Sequence, residues 1–251
     1  MPDLRASVAI PALNEEHHLP PLLRSLCDQR EVALDVVVVE ARSEDRTVEV
    51  VNHIIATNQN PDVEIRLFTV NQRNVSFQRN YAVARTRFDL LLFLDSDVRM
   101  PHPYWVRNVL RKYLHRGASV CSCRFRPIEP NLLGHLYYAI LFVFHQVMRW
   151  ITPYAIGAML LTKREHFDRV GGFDTALTLN EDANFVKRVG KLGWFDVLPD
   201  ACYISARRLL RGGFLKMGLM YLRIFLHRTI HGEMQHDMGY WGDQRDDAPP
   251  Q

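Results

Sequence analysis

The chain has few cysteines, and their spacing indicates neither a zinc site nor a set of disulfides. Its 251 residues include only four, Cys27, Cys121, Cys123 and Cys202. Cys121 and Cys123 stand two apart, and no second pair follows at the spacing of a zinc site. A chain of this length can bury a sizeable core without disulfides. The sequence therefore favours the reducing cytoplasm as its setting.

Targeting signals and long apolar runs are also missing. The N-terminal sequence MPDLRASVAIPALNEE has neither the basic start nor the apolar core of a signal peptide, so no export is expected. The most apolar stretch, residues 132–150, holds an unbroken apolar run only from Leu136 to Phe144. A membrane-spanning helix needs roughly 20 such residues, so no span is expected.

Two nucleotide-binding signatures are absent. No G-x-G-x-x-G follows the first apolar run, and no G-x-x-x-x-G-K-[ST] occurs in the chain. Their absence argues against dinucleotide oxidoreductases and P-loop nucleotide hydrolases. The formal net charge of +3 is too small to predict a nucleic-acid partner.

What the chain does have is a regular alternation of apolar runs and amphipathic segments. Strands are predicted at Ser7–Pro11, Leu34–Glu40, Val63–Thr69, Leu90–Leu94 and Val120–Phe125. Helices are predicted at Leu19–Cys27, Arg46–Thr57, Ser76–Arg87 and Tyr104–His115. This order predicts an α/β fold with a mostly parallel sheet between layers of helices. In such folds, ligands bind beyond the carboxyl ends of the strands.

Acidic residues follow three of the predicted strands. Glu15 comes after the first strand, Glu40 ends the second, and Asp95 and Asp97 follow the buried run Leu90–Leu94. In extended backbone the two aspartates would lean to the same side. Two explanations stay open for them: a turn that closes the strand, or a site for Mg²⁺ or Mn²⁺, which prefer carboxylate oxygens.

Five segments carry a resemblance to a known family. In chain order they are SVAIPALNEE, VVVVEARSEDRT, FQRNYAVA, LLFLDSDV and GGFDTALTLNED. Together they resemble the family 2 glycosyltransferases of the GT-A fold. The resemblance implies a Rossmann-like sheet sandwiched by helices. It also implies an inverting transfer of a sugar from a UDP or GDP sugar to a hydroxyl acceptor. The catalytic domain would cover residues 1–200, with a nucleotide-binding half at about 1–100 and an acceptor half at about 101–200.

The resemblance also implies which residues bind the donor. Carried onto this chain, the nucleotide contacts are Pro11, Ala12, Leu13, Glu15, Glu40, Arg79, Asp95, Ser96 and Asp97. Glu40 stands where the family usually has an aspartate that reads the base. Ala41 and Arg42 replace the family's second acid and its following glycine, so the choice of base stays open. Without the resemblance, Arg79 would be typical of a solvent-exposed helix residue.

The D-x-D motif implies a cofactor. By the resemblance, Asp97 would bind a divalent cation directly, and Asp95 would contact the ribose or a metal-bound water. Mg²⁺ or Mn²⁺ would stabilise the charge that develops on the diphosphate as the sugar bond breaks.

The acids Glu181 and Asp182 are assigned to the acceptor side. By the resemblance, Asp182 is the catalytic base that takes the proton of the acceptor hydroxyl, Glu181 is its neighbour, and Asp174 is a supporting candidate. A structural explanation is also available, because acids in the first turn of a helix capped by Asn180 would complement the helix dipole.

The C-terminal part is basic and apolar. Residues 203–232 contain six lysines and arginines and no acid, and residues 130–164 contain no acid either. Weak candidates for binding a diphosphate or a lipid phosphate are Arg207, Arg208 and Arg211.

Residues 201–251 are expected to form a helical extension with a disordered tail, DQRDDAPPQ. Within them, residues 214–231 predict a basic amphipathic helix. Together with residues 132–150, this helix would contact a membrane surface; the alternatives are docking on the core or on a second copy.

Three functions remain open. The first is a metal-dependent glycosyltransferase in the cytoplasm or at the inner membrane face, acting on a lipid-linked or cell-envelope glycan acceptor. The second is a phosphatase of the haloacid dehalogenase type, because FLDSDV also fits that family's D-x-D-x-[TV] motif, with Asp95 as the nucleophile. The third is a catalytically silent module that binds a nucleotide sugar.

Overall fold

The computed structural model describes residues 3–129, 131–177 and 179–207, together with Gly213 and Arg223. The strands in these residues are β1 Arg5–Ala12, β2 Ala33–Glu40, β3 Val63–Thr69, β4 Leu90–Leu94, β5 Val98–Arg99, β6 Val120–Pro127, β7 Met159–Lys163 and β8 Phe195–Ile204. The helices are α1 Leu19–Cys27, α2 Thr47–Thr57, α3 Val75–Val83, α4 Trp105–Arg116, α5 Leu132–Ile151, α6 Arg164–Arg169 and α7 Glu181–Gly190.

Most predicted elements lie within a residue or two of the observed ones, but α3 is shorter than predicted. It ends at Val83 instead of continuing to Arg87. The chain is drawn away from the helix because the Arg87 N–H donates to a carboxylate oxygen of the buried Asp35 at 2.8 Å. Three strands, β5, β7 and β8, were not among the predicted ones. The first two are only two and five residues long.

One eight-stranded sheet runs through the molecule in the order β3-β2-β1-β4-β7-β6-β8-β5. β1 is parallel to both β2 and β4, and β2 is parallel to β3. β7 is antiparallel to β4 and β6, while β6 and β8 are parallel. The predicted α/β fold with a mostly parallel sheet is confirmed. Because β1, β2 and β4 are parallel neighbours, their carboxyl ends meet at one edge of the sheet.

Helices cover both faces of this sheet. Residues of α1, α2 and α4 fill the core on one face, and residues of α3, α6 and α7 fill it on the other. In β2 the four valines Val36 to Val39 are all completely buried. This is the reason for the continuous apolar run in the sequence, since a parallel strand between two helix layers has no solvent face.

The twenty-residue helix α5 is held firmly through one of its faces. Tyr138, His145 and Met148 are buried, and the Tyr138 hydroxyl donates to the Ser205 carbonyl at 3.2 Å. Arg149 donates to the buried Asp196 at 2.9 Å. Among the described residues, no helix is long and apolar enough to cross a bilayer.

His145 is an unusual member of that face. It is fully buried, and neither ring nitrogen has a hydrogen-bond partner within the described part of the chain. Burial lowers its pKa from 6.5 to about 4. The unfolded chain therefore takes up a proton near pH 6.5, whereas the folded protein does so only near pH 4.

We expect this histidine to make the protein acid-sensitive. Above pH 6.5 the histidine is neutral in both states and does not change stability. As the pH falls from 6.5 towards 4, the unfolded chain binds a proton that the folded protein does not, and the free energy of unfolding falls by on the order of 3 kcal/mol. Urea unfolding at pH 7 and pH 4.5 should show a smaller loss in His145→Met than in the wild type. His135→Met, on the exposed part of the same helix, is the control and should behave like the wild type. Parallel pH curves for wild type and His145→Met would contradict the assignment.

Candidate active site

The loops after β1 and β2 are joined to each other by hydrogen bonds. The Asn14 N–H donates to Ser43 Oγ at 3.1 Å, and the Glu15 N–H donates to Thr47 Oγ1 at 2.8 Å. The two loops thus form one rim beyond the carboxyl ends of the strands, and Glu15 and Glu40 lie on this rim. The acids that follow β1 and β2 in the sequence therefore meet at one edge of the sheet.

The three apolar candidates Pro11, Ala12 and Leu13 lie at the end of β1. Pro11 lies inside the strand, paired with Val39 of β2. Proline is tolerated here because β1 pairs with β4 only from Ser7 to Ala9, so the strand has a neighbour on one side only at Pro11. Leu13 follows the strand and packs against the core.

Gln78 is a site residue that the sequence did not single out. Its buried side-chain amide donates to the Ala12 carbonyl at 2.9 Å and to the Val39 carbonyl at 2.8 Å. Helix α3 thereby fixes the ends of β1 and β2 relative to each other. Gln78 stands in the segment FQRN directly before Arg79, so its position in the motif was the available signal.

Glu40 ends β2 with its side chain almost fully buried. Its Oε2 accepts the Ser43 N–H at 2.8 Å, which ties the carboxylate to its own loop. Between them, Arg42 has a φ of 52°, in the left-handed region that favours glycine. Arg42 therefore holds a backbone conformation that glycine, which the resemblance implies at this position, adopts more readily. The Arg42 carbonyl is held by Arg73 at 3.0 Å.

The segment Asp95–Ser96–Asp97 is a turn. The Val98 N–H donates to the Asp95 carbonyl at 3.2 Å, which closes a four-residue turn between β4 and β5. The extended backbone assumed for the two aspartates was wrong, because the chain must reverse to enter β5. The two explanations left open by the sequence are compatible: a turn closes the strand and presents Asp95 and Asp97, both partly exposed, at the sheet edge.

Arg79 connects this turn to the second acidic motif. It is only 2% exposed, so it is not a solvent-exposed helix residue. One guanidinium nitrogen donates to Asp95 Oδ1 at 2.8 Å, and the other donates to Glu181 Oε1 at 2.9 Å. Its guanidinium carbon also lies 5.1 Å from the centre of the Phe173 ring. Burial alone would lower the pKa of Arg79, but the neighbouring carboxylates raise it, so the guanidinium stays charged.

Asp182 lies in the first turn of α7, beside this ion-pair network. Its Oδ2 accepts the Gly157 N–H. Burial, and next the negative charge of Glu181, raise the pKa of Asp182 to about 7, against the opposing effect of Arg79. A carboxyl with that pKa changes its protonation near neutrality, as a general base requires.

Gly157 is a second residue that sequence reasoning missed. A Cβ at this position would lie 2.7 Å from an Arg79 guanidinium nitrogen and 3.0 Å from Asp182 Cβ. Only glycine therefore lets the loop before β7 approach both side chains. No sequence signal pointed to it, because its contacts lie on α3 and α7.

The remaining acceptor-side candidates have structural partners. The Asp174 side chain is exposed and accepts the Ala176 N–H at 3.0 Å, so it stabilises a local turn. Asn180, expected to cap α7, has a φ of 59°, and its side chain makes no capping hydrogen bond among the residues described. The acids of this first turn are therefore held by Arg79 and Gly157 rather than by a capping box.

Arg207 lies against the rim formed by the loops after β1 and β2. Its guanidinium nitrogens contact the His18 ring at 2.6 Å and Glu15 Oε1 at 3.7 Å. The other two arginines of this group, Arg208 and Arg211, lie outside the described residues, as do nearly all of the residues in the predicted helix 214–231.

The donor set at the turn fits a divalent cation only in part. No three histidine, cysteine or acidic side chains are grouped closely enough to hold a metal ion within the residues described. Asp95 and Asp97 supply hard oxygen ligands, but Mg²⁺ and Mn²⁺ need about six, so most of them would have to come from a diphosphate and water. This fits an ion that binds together with a phosphorylated ligand.

Residues 7–171 match the family model described as glycosyl transferase family 2. The chain belongs to this family. The match covers more than half of the chain and contains the D-x-D turn, Arg79 and the rim formed by the loops after β1 and β2. The family and the glycosyltransferase class predicted from the sequence are thereby confirmed.

Curated relatives carry glycosyltransferase names. A 4,4'-diaponeurosporenoate glycosyltransferase of Staphylococcus haemolyticus is 32% identical over 111 residues, which are 43% of this chain and 28% of that protein. An uncharacterized glycosyltransferase of Haemophilus influenzae is 24% identical over 201 residues, which are 73% of this chain and 61% of that protein. The chain thus spans less than two thirds of the length of either relative.

Solved structures share the fold. The mannosyltransferase PcManGT of Pyrobaculum calidifontis, in complex with GDP-Man and Mn²⁺, matches with a TM-score of 0.66 and 22% identity, over 87% of this chain and 64% of that chain. TarS residues 1–349 of S. aureus in complex with UDP-GlcNAc matches with a TM-score of 0.61 and 18% identity, over 80% of this chain and 58% of that chain. These likenesses confirm the GT-A architecture.

Proposed function

We propose that the protein transfers a sugar from a nucleoside diphosphate sugar to a hydroxyl acceptor with inversion, and that Asp182 is the base. The observation that carries this proposal is the position of Arg79. Its one guanidinium group is bonded to Asp95 of the donor-side turn and to Glu181 of the acceptor-side pair. The donor motif and the base are therefore neighbours, as a direct displacement requires.

The proposed step is a single displacement. The acceptor hydroxyl gives its proton to a carboxylate oxygen of Asp182, and its oxygen forms a bond to the anomeric carbon of the sugar. On the opposite side, the bond from that carbon to the diphosphate oxygen breaks, and the nucleoside diphosphate leaves with the electron pair. Asp182 suits this role because its raised pKa lets it accept a proton near neutral pH.

The donor half is assigned to the rim beyond β1 and β2. In this proposal, Pro11, Ala12 and Leu13 line the nucleoside, Glu15 binds the ribose, and Glu40 faces the base. The related structures with GDP-Man and UDP-GlcNAc support a GDP or UDP sugar as the donor. The acceptor is proposed to be a lipid-linked or cell-envelope glycan.

A divalent cation, Mg²⁺ or Mn²⁺, is proposed to bind with the donor at Asp97 and Asp95. Mn²⁺ in the related mannosyltransferase structure supports this. The ion would neutralise the negative charge that the leaving diphosphate gains. By the family resemblance, Asp97 would bind the ion directly, and Asp95, which is bonded to Arg79, would contact the ribose or a metal-bound water.

The proposed domain assignment follows from the resemblance to the family. We assign residues 1–200 to the catalytic domain, with the nucleotide-binding half at about 1–100 and the acceptor half at about 101–200. The helical extension is assigned to residues 201–251. β8 ends at Ile204, so the sheet extends slightly past this boundary.

The two other functions are less well supported. Membership of the glycosyltransferase family speaks against a haloacid dehalogenase-type phosphatase, and the ion pair with Arg79 makes Asp95 a poor nucleophile. A silent binding module is separated from an enzyme by turnover: it would bind UDP or GDP but would neither transfer nor hydrolyse a nucleotide sugar with any acceptor.

Asp97→Ala should remove the dependence of nucleotide binding on the cation. Isothermal titration of the wild type with UDP and GDP should show binding to one of them that is at least about tenfold tighter with Mn²⁺ than with a chelator, because the cation would offset the repulsion between the aspartates and the diphosphate. In the variant the two affinities should be equally weak.

Asp168→Ala is the matched control for this titration, since Asp168 is an exposed aspartate on α6. It should bind like the wild type. Tight binding by the wild type that is indifferent to the chelator would remove the metal from the proposal while leaving the assignment of the base intact.

A further inference from the structure

The outward face of α5 is a continuous apolar surface. We define the α5 stripe as Leu132, Leu136, Ile140, Val143, Val147 and Trp150. These six residues recur every three or four positions, so they lie along one side of the helix. Each side chain is between 51% and 84% exposed. Soluble monomers rarely expose a large contiguous apolar surface unless it contacts a partner.

The stripe cannot turn inward, because the opposite side of α5 is already engaged. Tyr138 and Met148 are buried there, and Gln146 donates to the Val197 carbonyl at 3.3 Å. A Cβ at Gly134 would lie 3.3 Å from Pro127, so the helix backbone is close against β6. The apolar surface is therefore a fixed feature of the fold.

Charge distinguishes between the partners that could cover this stripe. Residues 130–164, which contain all of α5, have no acid. Two arginines lie against its aromatic residues, Arg149 at 4.9 Å from the centre of the Trp150 ring and Arg124 at 5.4 Å from that of Phe142. A second copy packed through this face would bring these arginines towards those of its partner, whereas an anionic lipid surface complements them.

The form of α5 indicates that it would lie along such a surface and not cross it. Its inner face carries His145, Gln146 and Arg149, the last paired with Asp196. A helix with one polar, engaged face and one apolar face lies in the plane of the interface. Trp150 is 79% exposed near the end of the helix. Tryptophan is enriched at the headgroup level of membranes.

The inner face of α5 also touches the candidate active site at both ends. Tyr138 donates to the Ser205 carbonyl, and the residue before it, Ile204, pairs with Val98, which directly follows Asp97. Met148 packs with Ala183, the residue that follows Asp182. A surface bound to the stripe would therefore lie one helix diameter, about 10 Å, from the catalytic groups.

We propose that the α5 stripe inserts into the interface of an anionic membrane and brings the site to acceptors held there. This proposal rests on the proposed function only in taking the candidate active site to be the place where sugar transfer occurs. Membrane binding is measured without any transfer reaction, so a failure of either proposal is seen separately.

The test is flotation of the full-length protein with vesicles of equal parts phosphatidylglycerol and phosphatidylcholine, and with pure phosphatidylcholine vesicles. The wild type should float with the anionic vesicles. Ile140→Glu combined with Val147→Glu should lower the floated fraction by at least about tenfold, since apolar burial drives interfacial binding. The control pair, Leu114→Glu with Leu192→Glu, adds the same charges at apolar residues that are 45% and 40% exposed elsewhere, and should float like the wild type.

Light scattering and thermal unfolding of the same variants show whether a second copy or a segment of the same chain covers the α5 stripe instead of a membrane. A wild-type dimer that becomes a monomer in the stripe variant, without flotation of either, would overturn the proposal in favour of a second copy. Absence of flotation with a lowered unfolding temperature in the stripe variant would overturn it in favour of a segment of the same chain. Flotation that the stripe variant retains would overturn it in favour of another membrane contact.

Discussion

Replacing Asp182 by asparagine should lower turnover by about 10²- to 10⁴-fold while making the protein more stable. Turnover falls because asparagine cannot accept the proton of the acceptor hydroxyl. Stability rises because the raised pKa of Asp182 means that its charge is disfavoured in the folded protein at neutral pH. The destabilisation begins above the unfolded pKa near 4, grows with pH and is complete at about pH 7. Removing the carboxylate should therefore raise the free energy of unfolding by about 1–3 kcal/mol, after allowance for solvent contact.

The pH dependence supplies a second measurement of the same group. Wild-type turnover should decline below about pH 7, as Asp182 becomes protonated. In Glu181→Gln the midpoint should move to lower pH, because the charge of Glu181 is one cause of the raised pKa. Calorimetric titration with UDP or GDP should show that Asp182→Asn still binds the nucleotide.

Asp168→Asn is the control for these experiments, because it makes the same chemical change at an exposed aspartate on α6. It should match the wild type in turnover, pH profile and unfolding temperature. Asp182→Asn that turns over at the wild-type rate would falsify the assignment of the base.

Replacing Arg79 by methionine should lower the free energy of unfolding by about 3–5 kcal/mol. Methionine keeps most of the length of the side chain but leaves Glu181, Asp95 and Asp182 without their shared positive charge. Two or more carboxylates at one partly buried place repel each other. Urea unfolding followed by circular dichroism at pH 7.5 measures the loss.

A double variant separates the lost ion pairs from lost packing. Adding Glu181→Gln to Arg79→Met removes one uncompensated charge and should recover part of the stability, which a double-mutant cycle measures as coupling. Arg111→Met, at an exposed arginine on α4, is the control and should change the unfolding free energy by less than about 0.5 kcal/mol. An equally small change in Arg79→Met would mean that the network contributes little.

The sequence predicted those strands and helices whose own residues show a clear apolar pattern. β2 and β4 are apolar runs buried between helix layers, and α1 presents its leucines at helical spacing. It did not reach β5 and β7, because strands of two and five residues have too few positions for a periodic pattern. The end of α3 was misplaced for a similar reason, since the contact that diverts the chain is with Asp35 on another strand.

The candidate site divides in the same way. The order of motifs was enough to name Asp95, Asp97, Glu181 and Asp182 as candidates, because all four stand in segments that resemble motifs of the family. The motifs did not indicate how the two pairs are connected. Arg79 and Glu181 are 102 positions apart in the chain, and sequence separation carries no information on their distance.

The sequence by itself determined the fold class, the family and the edge of the sheet at which the acids collect, because these follow from local apolar patterns and from motifs in a fixed order. Only the tertiary structure decided that Asp95 and Asp97 belong to a turn, that Arg79 holds both acidic motifs, and that Asp182 has a pKa near neutrality. It also decided which face of α5 is exposed. Ion pairing, burial and exposure depend on which distant segments pack together, and no single segment of a sequence contains that information.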